Sequence, residues 1–305
     1  MITYYYRNIK DDALQQLENF KVGSWVHVVN PEQSELTFLE KELDLDKGLL
    51  KDALDMYEVP RIEIEHGDVY IYTRYPFDDN DEVKTIPILF CIADKFIATI
   101  SPSSPEFIQT LVQSKELFTT QKIKLLLQLV QQLNKIYNTY LNRISRDIRA
   151  KEIKLEKIKN EDIVQFVTYE GIVNDFRPVL VRTNSILDAL LKSKHVTLYE
   201  KDKDLVEDIM LSNKQLIELS DDSIRTIVNI REAYSTIMTN NLNRVIKLLT
   251  SVTVILTVPT MIASIYGMNV NIPFADKPWA FFAILLFMIV VTGFLLFAFI
   301  REDFL

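Results

Sequence analysis

The sequence predicts an α+β protein in three parts: an α/β domain over residues 1–118, a helical bundle and stalk over residues 119–247, and a transmembrane domain over residues 248–305. Three observations support this division. Runs of alternating apolar residues occur in the first hundred positions, apolar residues then recur at intervals of three and four, and the last sixty positions are almost free of charge. These patterns are typical of strands, amphipathic helices and membrane spans, respectively.

Composition excludes several classes of protein. The 305 residues include 42 acidic and 34 basic side chains, so an acidic chain of this kind is not expected to bind nucleic acid. The single cysteine, Cys91, excludes an internal disulfide framework. The three histidines, His27, His66 and His195, are far apart and lack metal-ligand spacing. No catalytic constellation or phosphate loop is evident, so we predict neither an enzyme nor an organic cofactor.

The α/β domain is predicted to contain strands and two short helices. One strand covers Trp25–Asn30, and Arg61–Glu65 and Val69–Thr73 alternate around His66-Gly67-Asp68 in the manner of a hairpin. A second strand pair is predicted over 86–93 and 96–100. The two helices are predicted over 32–42 and 46–57.

Three long helices are predicted after Gln121. The first is indicated by apolar positions spaced three and four apart, namely Ile123, Leu126, Val130, Leu133, Tyr137, Tyr140 and Ile144. The second covers about 162–194, with possible breaks at Gly171 and Pro178. The third begins near Asp202 and continues into the membrane segment without a proline before Pro259. Its roughly 65 residues would form a rod of about 100 Å.

Two membrane spans are predicted at the C-terminal end, over about 248–267 and 278–300. Between Leu248 and Ile300 the only charged residues are the neighbours Asp276 and Lys277. Two spans joined by a short connection place the body, residues 1–247, and the C-terminus on the same side of the bilayer. The basic residues Arg244, Lys247 and Arg301 next to the spans indicate that this side is cytoplasmic. The chain begins without a basic leader and apolar run, so we expect a multi-pass protein of the cell membrane with both termini cytoplasmic.

The first span carries a regular polar seam, whereas the second is apolar all round. Steps of three and four residues connect its members, which are Asn243, Ile246, Thr250, Thr253, Thr257, Thr260, Ser264 and Gly267. Two interpretations are open. Hydroxyls and small residues can hold membrane helices together, or the seam can line a water-filled path. The second interpretation requires a symmetric homo-oligomer, because one helix cannot enclose a pore.

The end of the first span resembles a known family. Tyr266-Gly267-Met268-Asn269 resembles the Gly-Met-Asn signature of the CorA family of divalent metal-ion transporters, and Asn243 to Thr250 resembles that family's Asn-x-x-Met-Lys-x-Leu-Thr segment. Pro259-Thr260 lies at the corresponding distance. Taken alone, Gly267-Met268-Asn269 would also suit an ordinary helix C-cap.

The resemblance implies a funnel-shaped homopentamer that transports magnesium, and often cobalt or nickel. It places Gly267, Met268 and Asn269 in a selectivity filter. The implied pore lining comprises Asn243, Ile246, Leu249, Thr250, Thr253, Thr257, Thr260 and Ser264. Ile246 stands where the family usually has methionine and Thr257 where it can have methionine, and the loop 271–277 lacks the acidic cluster of some members.

The resemblance also implies control by cytosolic magnesium. Glu232 matches a position where the family often has an acid facing the axis; the alternative is a solvated surface glutamate. Asp208 matches a position that binds a regulatory metal in some relatives, with Asp79 and Asp81 of the loop 78–82 as candidate partners. The alternative for that loop is a solubilising turn.

Two other functions remain open on the sequence. One is a zinc transporter of the same superfamily, with or without proton coupling. The other is a membrane-anchored sensor or scaffold that transports nothing, although an anchor has no need of a hydroxyl seam. Magnesium is the expected transported and regulatory ion, and the expected partners are further copies of the chain, the bilayer and divalent ions.

Overall fold

The computed structural model of the chain describes residues 1–79, 82–114, 116–153, 155–270 and 277–302, apart from the side chains of Asp79, Glu82 and Glu156. It contains two compact units, Met1–Asn229 and Ile230–Leu305. The strands are β1 (Ile2–Tyr6), β2 (Gln15–Leu17), β3 (Trp25–Val29), β4 (Arg61–Glu65), β5 (Asp68–Asp79), β6 (Glu82–Ile92) and β7 (Ile97–Ser101). The α-helices are α1 (Gln33–Glu42), α2 (Lys47–Asp52), α3 (Glu106–Val112), α4 (Lys122–Glu152), α5 (Asn160–Lys192), α6 (Glu200–Tyr266) and α7 (Ala280–Arg301).

The described strands form one sheet in the order β2-β1-β3-β7-β6-β5-β4. Strands β3 and β7 pair in parallel, and the other neighbours are antiparallel. Alternate residues point to opposite faces, so Val69 and Ile71 join one core whereas Tyr70 and Tyr72 join the other. The first core is covered by α3, α4, α5 and the start of α6, and the second by α1 and α2. The body is therefore a sheet between two helical layers.

The predicted hairpin is confirmed. Strands β4 and β5 pair with Glu65 opposite Asp68, and the two residues between them, His66 and Gly67, have φ angles of 53° and 92°. A two-residue loop with both φ angles positive suits the right-handed twist of a hairpin. The second predicted pair is also confirmed, because β6 and β7 are antiparallel neighbours.

The predicted helix over 46–57 is too long. Asp46 caps α2 by accepting a hydrogen bond from the Leu49 N–H at 2.9 Å, but the helix ends at Asp52. Beyond it, the Asp55 side chain accepts from the Tyr57 N–H at 2.9 Å. An aspartate that bonds its own backbone two residues on favours a turn over a helix.

The possible breaks in the second long helix do not occur. Helix α5 continues through Gly171 and Pro178. Pro178 lies on the exposed face, while its neighbours Phe176, Val179 and Leu180 are buried. The packing of the buried face therefore holds the helix together despite the hydrogen bond that proline removes.

Polar contacts fix the first part of α6 against its neighbours within the body. Asn134 of α4 donates to the Ile209 carbonyl at 3.2 Å, and Asn213 of α6 donates to the Leu180 carbonyl of α5 at 2.6 Å. Ion pairs Arg177–Asp221 at 2.5 Å and Arg149–Asp222 at 3.2 Å follow further along. Each neighbouring helix therefore meets α6 through an amide contact and an ion pair, and these contacts define the register of the three helices.

The hydroxyl of Tyr137 connects α4 to the sheet and provides a stability test. It is 2 % exposed and donates to the Arg74 carbonyl of β5 at 3.0 Å. Tyr137→Phe should lower the free energy of unfolding by about 1 kcal/mol, because it removes one buried hydrogen bond while keeping the ring. Circular dichroism melts of the full chain in detergent measure the change. Tyr57→Phe, at a residue that is 89 % exposed, is the matched control; an equal effect in both variants would contradict the prediction.

Candidate functional site

The residues of the predicted seam and filter lie on or directly after helix α6, and all are exposed in the single chain. At 100° per residue, the seam residues from Thr250 to Gly267 occupy a single stripe along the helix. Leu249 lies at the edge of that stripe. The structure therefore brings the predicted lining together on one surface of one helix.

The threonine hydroxyls of the seam donate hydrogen bonds to their own helix. The Oγ1 atoms of Thr253, Thr257 and Thr260 each lie 2.7 Å from the carbonyl oxygen four residues earlier. A hydroxyl has one proton and two lone pairs. Because the proton is used within the helix, the free lone pairs make the seam a row of neutral hydrogen-bond acceptors.

The shielded side of α6 lies opposite the seam. Ser251 is buried, and Val254, Ile255, Val258 and Ile262 are half-buried. Around the axis of a helix with 3.6 residues per turn, the mean direction of these residues is about 150° from the mean direction of the seam. Helix α7 carries a matching stripe of buried and half-buried residues, made of Ala280, Ile284, Met288, Val291, Leu295 and Ala298. The seam therefore remains available to other molecules, including further copies of this chain.

Gly267 does not form the left-handed helix cap that its type suggests. Its N–H continues the helical pattern toward the carbonyls of Ala263 and Ser264 at 3.0 and 3.2 Å. Among the described residues, the glycines with positive φ are Gly23 and Gly67. A Cβ at position 267 would meet only ordinary contacts of 3.4 and 3.6 Å. Neither conformation nor space within one chain requires glycine here, although the helix ends at Tyr266 and Gly267 is the first residue after it.

Met268 and Asn269 follow Gly267 at the exposed end of the span. Met268 N–H reaches the Ile265 carbonyl at 3.3 Å, and Asn269 lies beyond the last helical hydrogen bonds of this end. The Asn269 side chain has no hydrogen-bond partner within the part of the chain that the structure describes. The connecting loop 271–276 lies outside the described residues.

Of the predicted regulatory acids, the structure describes the side chains of Asp208 and Glu232. Asp208 and Glu232 are both exposed on α6. Asp79 ends strand β5 opposite Glu82, while its side chain and the whole of Asp81 lie outside the described residues. In the described ranges, no group of three or more His, Cys, Asp and Glu residues is arranged to hold a metal ion.

Two polar features of the structure are not evident from the sequence. The first is the set of α6 contacts made by Asn134, Asn213, Arg149 and Arg177; the doublet Asp221-Asp222 in an amphipathic helix was the available signal. The second is His27. Its spacing from the other histidines gives no sign of a role, but in the structure the residue is buried, with 6 % of its surface exposed. Only tertiary structure reveals its surroundings, because its neighbours come from distant strands.

These features define a class of protein. Helices α6 and α7 each contain a segment long and apolar enough to cross a membrane, and these segments are 6 % and 0 % buried. Apolar helices exposed to this extent are suited to lipid rather than to a soluble core. The chain is thus a helical membrane protein with an α/β body and two C-terminal spans.

Comparison with known proteins identifies the family. The family model described as CorA-like Mg2+ transporter protein matches residues 20–301, so the chain belongs to the CorA family. It is 24 % identical over 290 residues to the cobalt/magnesium transport protein CorA of Methanocaldococcus jannaschii, covering 91 % of this chain and 90 % of that one. It is 22 % identical to the magnesium transport protein CorA of Helicobacter pylori strain 26695, covering 80 % and 79 %.

The fold agrees with this assignment. The complete structure of the CorA magnesium transporter from Methanocaldococcus jannaschii matches with a TM-score of 0.86 at 22 % identity, covering 100 % of this chain and 99 % of that one. The predicted architecture of an α/β body, a long helix and two C-terminal spans is therefore confirmed.

Proposed function

We propose that this CorA-family transporter conducts divalent cations, magnesium first and also cobalt or nickel, as hydrated ions through a homopentameric pore. The observation that carries the proposal is the seam of neutral oxygens on α6 that ends at Gly267-Met268-Asn269. The relatives in Methanocaldococcus jannaschii and Helicobacter pylori are named as cobalt/magnesium and magnesium transport proteins, which supports the choice of ions.

Neutral acceptors suit magnesium because this ion releases its water shell reluctantly. Its bound waters point their protons outward, where hydroxyl lone pairs, carbonyl oxygens and amide oxygens accept them. Rings of Asn269 amides and Gly267 carbonyls would select the hydrated ion at the outer end. A ring of carboxylates would bind the ion more strongly and release it more slowly.

The proposed pore requires several copies of the chain. The seam of one chain would contact a passing ion from one side only. To enclose a pore, several copies must be arranged around a rotation axis with each seam facing that axis. The exposure of the seam opposite the shielded face of α6 supports such an arrangement. Ile246 and Leu249, which are 51 % and 66 % exposed, would form an apolar constriction in the oligomer.

We divide the roles along the chain as the sequence suggests: residues 1–118 sense, residues 119–247 transmit, and residues 248–305 conduct. Bound magnesium would hold Asp208 near Asp79 or Asp81 of a neighbouring copy and keep the pore shut. Loss of the ion would let the carboxylates repel and loosen the stalk. Glu232 would add a ring that attracts cations on the cytoplasmic side, where we also place both termini.

Zinc transport is the nearest alternative, because a ring that contacts water molecules discriminates weakly between hydrated divalent ions. A scaffold without transport is disfavoured by the seam. Flux of magnesium, cobalt, nickel and zinc into liposomes that contain the purified protein distinguishes these functions. Magnesium flux that is absent at every internal magnesium concentration would contradict the proposal, and zinc flux alone would favour the alternative.

Asn269→Ala should abolish selective magnesium flux, because it removes the side-chain oxygens of the outer ring while leaving the helix intact. The measurement is liposome flux together with the oligomer mass on a sizing column. Asn241→Ala, at an exposed position of α6 away from the seam, is the matched control. Unchanged flux in Asn269→Ala would remove this residue from the filter.

Asp208→Ala should weaken closure by internal magnesium, because the proposed sensor loses one carboxylate from each copy. The measurement is the internal magnesium concentration that halves the flux, and the prediction is a shift to higher values. Glu218→Ala, at another exposed acid of the same helix, should leave this concentration unchanged. If both variants close like the wild type, the sensor lies elsewhere.

A further inference from the structure

A groove of about 470 Å³ lies between strands β1 and β3 and helix α3, in the α/β body. Its sheet side includes Thr3, Tyr5 and His27, and its helix side includes Ile108 and Val112. None of the lining residues is an Asp, Glu, Lys or Arg; the only formal charge there is the Met1 α-ammonium, which Glu35 pairs at 2.8 Å. The lining also includes the uncharged polar residues Ser104, Gln109 and Gln113, and the volume is typical of a small-molecule site.

Two polar side chains lie at the floor of this groove. Thr3 and His27 are directly opposite each other on the antiparallel strands β1 and β3, so their side chains are neighbours on one face. They are only 8 % and 6 % exposed. Buried polar groups at such positions normally have hydrogen-bond partners.

The hydrogen bonds of His27 determine its tautomer. The Trp25 Nε1–H is only a donor and lies 3.0 Å from the Thr99 Oγ1 atom, which in turn lies 2.8 Å from His27 Nδ1. Thr99 Oγ1 has no other acceptor in the described part of the chain, so its proton goes to Nδ1. The proton of the neutral ring then resides on Nε2.

The ring is neutral under ordinary conditions. Burial, and to a lesser degree the nearby Met1 ammonium, lowers the pKa of His27 to about 4. His27 thus presents a neutral Nε2–H donor at pH 7.

The two groups at the floor lack partners in the protein. Within the described residues, neither His27 Nε2 nor Thr3 Oγ1 makes a hydrogen bond. Neither atom is sealed from solvent, so water is their partner when the groove holds no ligand. A ligand with acceptor oxygens would replace the hydrogen bonds of that water, whereas a purely apolar ligand would displace the water without replacing them.

We propose that this groove is a binding site for a small apolar carboxylate. One carboxylate oxygen accepts from His27 Nε2–H and the other from the Thr3 hydroxyl, while the apolar part packs on Tyr5, Ile108 and Val112. The site is separate from the conduction seam, which lies on another helix. Its occupancy therefore does not depend on the transport function.

Titration of the purified full-length protein with benzoate tests this site, by saturation-transfer NMR and by the thermal unfolding midpoint. We expect millimolar or tighter binding and a raised midpoint. Thr3→Val keeps the shape of the side chain and removes one donor, so the dissociation constant should rise by at least about fivefold. Thr3→Ser should restore binding.

Thr37→Val is the matched control, because Thr37 is half-buried on α1, does not line the groove, and donates to the Gln33 carbonyl of its own helix at 2.8 Å. It should bind benzoate like the wild type. Ethylbenzene, which is apolar but has no acceptor, should bind more weakly than benzoate. The proposal is overturned if benzoate does not bind to the wild type at millimolar concentration, or if it binds Thr3→Val with unchanged affinity.

Discussion

The hydrogen bond from a seam hydroxyl to the carbonyl four residues earlier is the interaction on which the proposed function of this chain depends. In a bilayer every polar group needs a partner, and a threonine on a helix can find one within its own turn. Thr253, Thr257 and Thr260 use this contact. It allows a helix to carry a row of hydroxyls through an apolar layer without a charged residue. It also leaves the oxygen lone pairs unused within the helix, so the same contact that makes the segment tolerable in lipid supplies the acceptors that we propose for hydrated cations.

The residues at the end of the seam, Gly267 and Asn269, are also uncharged. Gly267 keeps a right-handed conformation although it has room for a side chain. The small size of glycine is therefore not needed by the single chain, and the proposed assembly of several copies around one axis would give it a role. Asn269 adds a neutral amide rather than a carboxylate, which suits the proposed recognition of an ion through its waters. Charge is instead kept in the body, where the acidic side chains outnumber the basic ones.

Local patterns in the sequence were enough to predict most elements that are long or have strong turn signals. The hairpin at His66-Gly67, helix α4 and the continuity of α6 into the membrane segment all follow from periodicity or turn chemistry. The sequence was less informative where tertiary packing or a single side chain determines whether a helix continues. The packing of Phe176, Val179 and Leu180 lets α5 continue through Pro178, and the Asp55 side chain forms a turn where the sequence predicts that α2 continues.

Strands β1 and β2 and helix α3 were not predicted, because short segments give little periodic signal. The seam could be found from spacing alone, whereas the floor of the groove at Thr3 and His27 required the pairing of distant strands.

Thiol accessibility tests the central claim, that the seam faces water, most directly. Cys91, the only cysteine, is buried, and burial raises the pKa of its thiol, so the wild type should not react. Single cysteines would be placed on the seam, as Thr253→Cys and Thr257→Cys, and on the shielded face, as Val254→Cys and Val258→Cys. With the protein in liposomes, a charged thiol reagent should modify the two seam positions and leave the other two intact. Equal modification of both pairs, or protection of the seam pair, would contradict the account.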